Sequence, residues 1–357
     1  MSDSSAGGKV GEQGAPSRWQ TLFQSAMTFA KRNKRLLQIA LVTLIALFVV
    51  LSLMSNWSKL ASYDWRLNWG LFALAFIFFA GQELTFAFIW RAILRRMGHT
   101  IGVLASQRMY LGSEMARYVP GNVWHVLTRV FWVERYGVPM AKGFASMVME
   151  LATKIASAAL VFAVSLLWWQ DTRALASSVP RPALIGVVVV GVPLLLLGLH
   201  PRALRWALNK GLRILKRDEI DLSLRYRDVL AVTGYWAASW LVAGVGFYLL
   251  IRAVVPASPP ASAILVATGI YALAWDIGFL SFVTPSGIGF REAAIVALLL
   301  ASGLVAPGPA SVGVATVIAL LARLLTTLAE LTCIGGAQLA TRLTATAPLP
   351  QPDAPQR

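Results

Sequence analysis

Apolar runs of roughly 20 residues recur along this chain, and no other feature limits its fold as tightly. They lie at about Leu36–Met54, Gly70–Trp90, Gly143–Trp169, Ala183–Leu199, Val229–Ile251 and Ser311–Leu339. A helix rising about 1.5 Å per residue needs about 20 residues to cross a hydrocarbon core of about 30 Å. Lipid offers no water to the backbone, so a spanning segment is a helix or part of a closed barrel, and the short alternating strands of a barrel are absent from this sequence. The predicted class is an all-α polytopic membrane protein. With 57% hydrophobic and only 13% charged residues, the composition excludes an ordinary soluble domain.

Two weaker apolar pairs, 101–119/122–138 and 262–284/287–305, are each interrupted by Pro and Gly. Each pair enters and leaves on one side, as a re-entrant hairpin or as two crossings, so the six confident helices become 8–10 membrane segments. The small, polar residues 1–17 and the Pro-rich residues 343–357 bury too little apolar surface to order themselves; residues 1–30 are expected to form a disordered cytoplasmic tail and 343–357 another, around one membrane domain, 31–342. The single Cys333 excludes an internal disulfide and a cysteine metal cluster.

Basic residues set the orientation. With both termini in the cytoplasm, 24 of the 32 Lys and Arg fall in tails and cytoplasmic loops, five are external, and Lys154, Arg291 and Arg323 lie within apolar segments. The positive-inside rule favours this arrangement strongly, and it explains the net charge of +16 without nucleic acid, which is not an expected partner. The basic loop 200–228 becomes cytoplasmic and is predicted to hold a helix lying on the membrane surface. The order crossing, crossing, broken pair, crossing then appears twice, over 36–169 and 183–339. Each half makes an odd number of crossings, so the second is upside down: an inverted repeat.

A charged side chain in mid-membrane costs about 2.5–3.5 kcal/mol on insertion scales and requires a partner or a wet cavity. The candidates are Glu83, Glu150, Lys154, Asp276, Arg291, Glu292, Arg323 and Glu330. Glu150 and Lys154, at i and i+4, share a helix face and can pair. Arg323 and Glu330 also share a face but stand too far apart to meet, so each is expected to find a partner on another helix. The broken pairs are the expected source. In "TPSGIGFRE", Pro285, Ser286, Gly287 and Gly289 can stop one helix and start another, leaving free N–H groups beside Arg291 that suit a phosphate. In "YVPGNVWH", Pro120, Gly121 and Asn122 offer a counterpart in the first half. Ordinary interfacial loops with belt aromatics remain the alternative reading of both stretches.

"RYVPGNVWHVLTRV" (117–130) and "FLSFVTPSGIGFREAAIVALLL" (279–300) resemble the two signature regions of the lysylphosphatidylglycerol synthase transmembrane family, also called flippase-like proteins. The resemblance covers about residues 36–340. It implies a membrane domain that moves an amphipathic lipid between leaflets, commonly an anionic or aminoacylated phospholipid, in some relatives a polyprenyl-linked or hopanoid lipid. It points to Pro120, Gly121, Pro285, Gly287, Gly289, Arg291 and Glu292. The full synthase also carries a soluble aminoacyl-transfer domain after its membrane part, which has no counterpart before residue 357, so lipid aminoacylation would need a separate synthase or transferase.

Three functions follow as expectations. The first is a lipid transporter of the cell (cytoplasmic or inner) membrane, taking an anionic phospholipid or lipid-linked precursor without a cofactor. The second is a membrane enzyme on a lipid phosphate. Scattered His99, His125 and His200, with no H-E-x-x-H motif and no serine elbow, argue against catalytic residues or a metal centre. The third is a non-transporting partner in an envelope-synthesis complex, docked through 200–228.

Overall fold

The computed structural model describes residues 67–118, 124–169, 181–214, 225–255, 259–281 and 287–344, with isolated helical positions at 43, 47, 50, 51 and 54. The expected tails and most of the run Leu36–Met54 lie outside the described residues. What is described is helical: α1 (Trp69–Arg96), α2 (Val103–Glu114), α3 (Trp124–Glu134), α4 (Met140–Ser165), α5 (Arg181–Gly198), α6 (Pro201–Ile214), α7 (Tyr226–Val254), α8 (Ala263–Leu280), α9 (Phe290–Ser302) and α10 (Ser311–Thr344).

The helix ends follow local chemistry. Asn68 caps α1 by accepting the Leu71 N–H at 3.1 Å, and Arg95 and Arg96 sit in the last turn, where the dipole favours cations. Asp228 lies in the first turn of α7 and accepts the Arg225 N–H at 3.2 Å, while Arg252 closes the other end. Gly303, at φ +73°, ends α9 in the left-handed conformation that glycine tolerates.

Five helices are long and apolar enough to cross a membrane: α1, α4 with its 3₁₀ extension, α7, α8 and α10. This is a polytopic membrane protein. Its surface is inverted relative to a soluble one: Leu324, Leu328 and Leu331 of α10 are exposed, whereas Arg323 and Glu330 of the same helix are buried. One expectation is corrected. Helix α8, assigned to a weaker pair, has full membrane length, and the 183–199 run lies in α5, an 18-residue helix that carries Pro193 inside. Helices α2, α3 and α9 have 12, 11 and 13 residues. At about 1.5 Å per residue none reaches the roughly 30 Å of a hydrocarbon core.

An inverted repeat requires corresponding helices to run in opposite directions, and α1 and α7 do. The Asn68 N–H donates to the Ala253 carbonyl at 2.9 Å at one end, and Arg96 meets Asp228 at 3.6 Å at the other. Two hydrophobic clusters divide the bundle. One joins the first part of α1 to the second parts of α4 and α7 with α8, α9 and α10; the other joins the second part of α1 to the first parts of α4 and α7 with α2 and α3. Each broken pair therefore has its own core, and α1 and α7 run through both.

Candidate functional site

The buried charges gather in three places. The first is centred on Arg129 of α3, which is fully buried. Its guanidinium donates to Glu150 Oε2 at 2.7 Å, to Glu114 Oε1 at 2.7 Å and to Ser113 Oγ at 3.0 Å, and it lies 3.7 Å from the Tyr110 ring centre. The Tyr110 hydroxyl donates to Glu150 Oε1 at 2.7 Å. Such short charge-assisted bonds, with each guanidinium nitrogen engaged, are what let ions remain in a dry interior. The knot ties the end of α2 and the start of α3 to α4, across the stretch that contains the first Pro-Gly break.

Two readings change here. Glu150, singled out as a partner for Lys154, has one oxygen bound by Arg129 and the other by Tyr110, both from other helices. Arg129 itself belongs with the buried charges, although the loop-charge count leaves it among cytoplasmic residues. The weaker hydropathy of its segment hid it. Its flanking Val126, Val130 and Val133, which put one face of α3 into the core, were the available signal.

The second place is a box around Lys154. Its Nζ lies 3.9 Å from the Phe86 ring centre, 4.2 Å from Trp275, 4.8 Å from Trp236 and 6.0 Å from Trp240. Asp276, next to Trp275 and only 4% exposed, interacts electrostatically with Lys154. Ring faces attract an ammonium, so rings from three helices converge on the cation of a fourth.

The third place adjoins the second break. Gly287 and Gly289 have φ of +67° and +91°, a region that side chains rarely adopt, and Gly287 presses on the backbone of Gly278 in α8. Gly278 is equally confined, since a Cβ there would stand 2.9 Å from Cβ of Arg291. The break is thus seated directly on the end of α8. Glu292 then turns back and accepts the Gly289 N–H at 2.7 Å. Its other oxygen faces Arg323 of α10 at 3.8 Å. The expectation that Arg323 draws its partner from a broken pair matches this geometry. The free N–H groups expected at the start of α9 do not all survive: a protein carboxylate already occupies part of that anion site.

Arg291 is half-buried, with its guanidinium 4.8 Å from the Tyr271 ring centre, and Tyr271 also interacts electrostatically with Glu83 and Arg323. Cys333 connects to Glu83 and Glu330 in the same way. The structure therefore brings Glu83, Arg291, Glu292, Arg323 and Glu330 towards one region and gives Glu150 and Lys154 to the other two. Glu292 Oε1 and Arg291 Nη2 are buried and make no hydrogen bond among the described residues. Pro120, Gly121, Asn122, Pro285 and Ser286 lie outside the described residues.

The described residues hold six buried carboxylates, Glu83, Glu114, Glu150, Asp276, Glu292 and Glu330, against three buried cations, Arg129, Lys154 and Arg323, with Arg291 at the edge. The interior is mixed, and its carboxylates outnumber its cations.

Broken helices beside buried ion pairs in a lipid-facing bundle are the features to compare with known proteins. The family described as lysylphosphatidylglycerol synthase TM region matches residues 35–334. The chain belongs to this family. Among curated proteins no match is found. For a member of the lysylphosphatidylglycerol synthase TM family, the matched length takes in every buried charge described above.

Proposed function

We propose that this protein moves a phosphate-bearing lipid between the leaflets of the cell membrane, without altering it covalently. The observation that carries this reading is the contrast between two charge clusters. In the Arg129 knot each guanidinium nitrogen has a partner, and the cluster serves structure. Beside the second break, Arg291 Nη2 and Glu292 Oε1 still have hydrogen-bonding capacity, although polar atoms at such depth normally find partners. A lipid phosphate reaching Arg291 would accept from Nη2, for which a guanidinium is well shaped, while Glu292 Oε1, an acceptor facing Arg323, would take a donor of the headgroup. Glu83 and Glu330 then offer negative charge to an ammonium or a proton on the same headgroup. The helix breaks at Gly287 and Gly289 support polar backbone facing a cavity rather than lipid. The antiparallel α1 and α7 give two halves that can rock about a shared core. A separate synthase or transferase would supply the lipid.

The test is leaflet exchange of fluorescent phosphatidylglycerol in vesicles reconstituted with the protein. Arg291→Gln is expected to leave the thermal stability near wild type, because the side chain is half-buried, and to slow exchange at least tenfold. Unchanged exchange in this variant would exclude Arg291 from the pathway. Exchange no faster than in empty vesicles would favour a partner role in a synthesis complex, and a covalently changed lipid would favour an enzyme.

A further inference from the structure

The surplus of buried carboxylates has a chemical consequence. An unbalanced carboxylate in a dry interior takes up a proton rather than remain charged. Most of the six have hydrogen bonds or partners that hold the charge. Glu114 and Glu150 share Arg129, and Glu292 has the Gly289 N–H and Arg323. Glu83 and Glu330 carry interactions with Tyr271 and Cys333 and lie in the site already assigned. Asp276 differs. It is only 4% exposed and its Oδ1 makes no hydrogen bond among the described residues, as holds also for Glu292 Oε1 and Glu330 Oε1, but the charge that acts on it is that of Lys154 alone.

The cation that Asp276 faces also differs from the others. Lys154 is held by ring faces of Phe86, Trp236, Trp240 and Trp275, so its charge keeps support when Asp276 is neutral. Two states of the pair are thus accommodated by one box: an ion pair, or a protonated Asp276 beside a caged ammonium. The surrounding charges are few. Against α8, α4 presents Lys154 and, one turn away, Glu150; α9 presents Arg291 and Glu292; α1 presents Glu83 and α10 Arg323, both towards Tyr271; the charged residues of α7, Arg227, Asp228 and Arg252, stand at its ends.

Asp276 also has a mechanical outlet. Gly278, two residues on, is the point where α8 touches Gly287 and Arg291 with no room for a methyl group. A small shift of α8 towards or away from Lys154 must therefore move the break.

We propose that Asp276 is a proton-binding site inside the membrane, alternating between a carboxylate paired with Lys154 and a neutral acid protonated on Oδ1, and that this change is passed through Gly278 to the break at Gly287–Arg291. Proton binding stands whatever the protein transports. Its coupling to movement rests on the transport reading above.

Infrared difference spectra of the purified full chain in lipid nanodiscs, acidified from about pH 9 to about pH 5, test the site. Wild type is expected to gain a protonated-carboxyl band that Asp276→Asn lacks, and in Lys154→Gln that band is expected already at the alkaline end, because the ammonium that favours the carboxylate is gone. The near-isosteric Asn variant should retain wild-type size-exclusion behaviour. No band in wild type, or an unaltered band in Asp276→Asn, overturns the site; a Lys154→Gln profile equal to wild type overturns the pairing. For the coupling, exchange of fluorescent phosphatidylglycerol in wild type is expected to change at least threefold when a pH gradient is imposed, and to lose that dependence in Asp276→Asn. Exchange indifferent to the gradient overturns the coupling. Absence of exchange under both conditions overturns transport and coupling together, while the spectra still decide the site.

Discussion

Arg129→Ala is expected to be the most damaging single substitution among the buried charges, lowering stability by about 3–5 kcal/mol, the range for breaking a buried ion pair from one side. The loss is not one contact. Glu114 and Glu150 would both remain buried without their guanidinium, and Ser113 would lose its donor. The link from α2 and α3 to α4 would go with them. Arg129→Lys should fall between, since a lysine keeps the charge but cannot span two carboxylates and a hydroxyl in one plane. Thermal unfolding in mild detergent measures this, and an Arg129→Ala midpoint within a degree or two of wild type would show that the knot does not hold the fold.

Gly287→Ala is expected to be nearly as harmful, for a different reason. Its φ of +67° strains any side chain, and the new methyl would meet the carbonyl of Gly278, which is backbone and cannot swing aside. Gly98→Ala is the matched control. It also has a positive φ, +86°, but nothing lies within 4 Å of its would-be Cβ, so it isolates the conformational cost of about 1–2 kcal/mol. Gly287→Ala should exceed that cost and also abolish lipid exchange, because the break would be lifted off α8. Equal stability losses with exchange retained in both would contradict the close seating of the break.

The long helices were legible from the sequence because membrane length and hydropathy act residue by residue. The runs at Gly70–Trp90, Val229–Ile251 and Ser311–Leu339 all lie inside observed helices, whose ends extend further because polar caps and basic last turns add residues that hydropathy discounts. The need of Arg323 for a partner on another helix was legible from cost alone. Its identity as Glu292 was suggested by the break but depends on how α9 meets α10. The Lys154 box was not legible: Phe86, Trp236 and Trp275 come from three helices, and only Trp236 and Trp240 share a face at i, i+4. Glu150 shows the limit of local spacing, since a guanidinium 21 positions away binds it.

The account depends on a lipid phosphate entering the bundle at Arg291. A phosphatidylglycerol analogue with a photoreactive group at its headgroup, activated in vesicles and mapped by mass spectrometry of the digested protein, tests this most directly. Adducts are predicted on Tyr271 and on Phe290–Glu292, and they should vanish from these positions in Arg291→Gln. Adducts confined to lipid-facing side chains such as Leu324, Leu328 and Leu331 would contradict it.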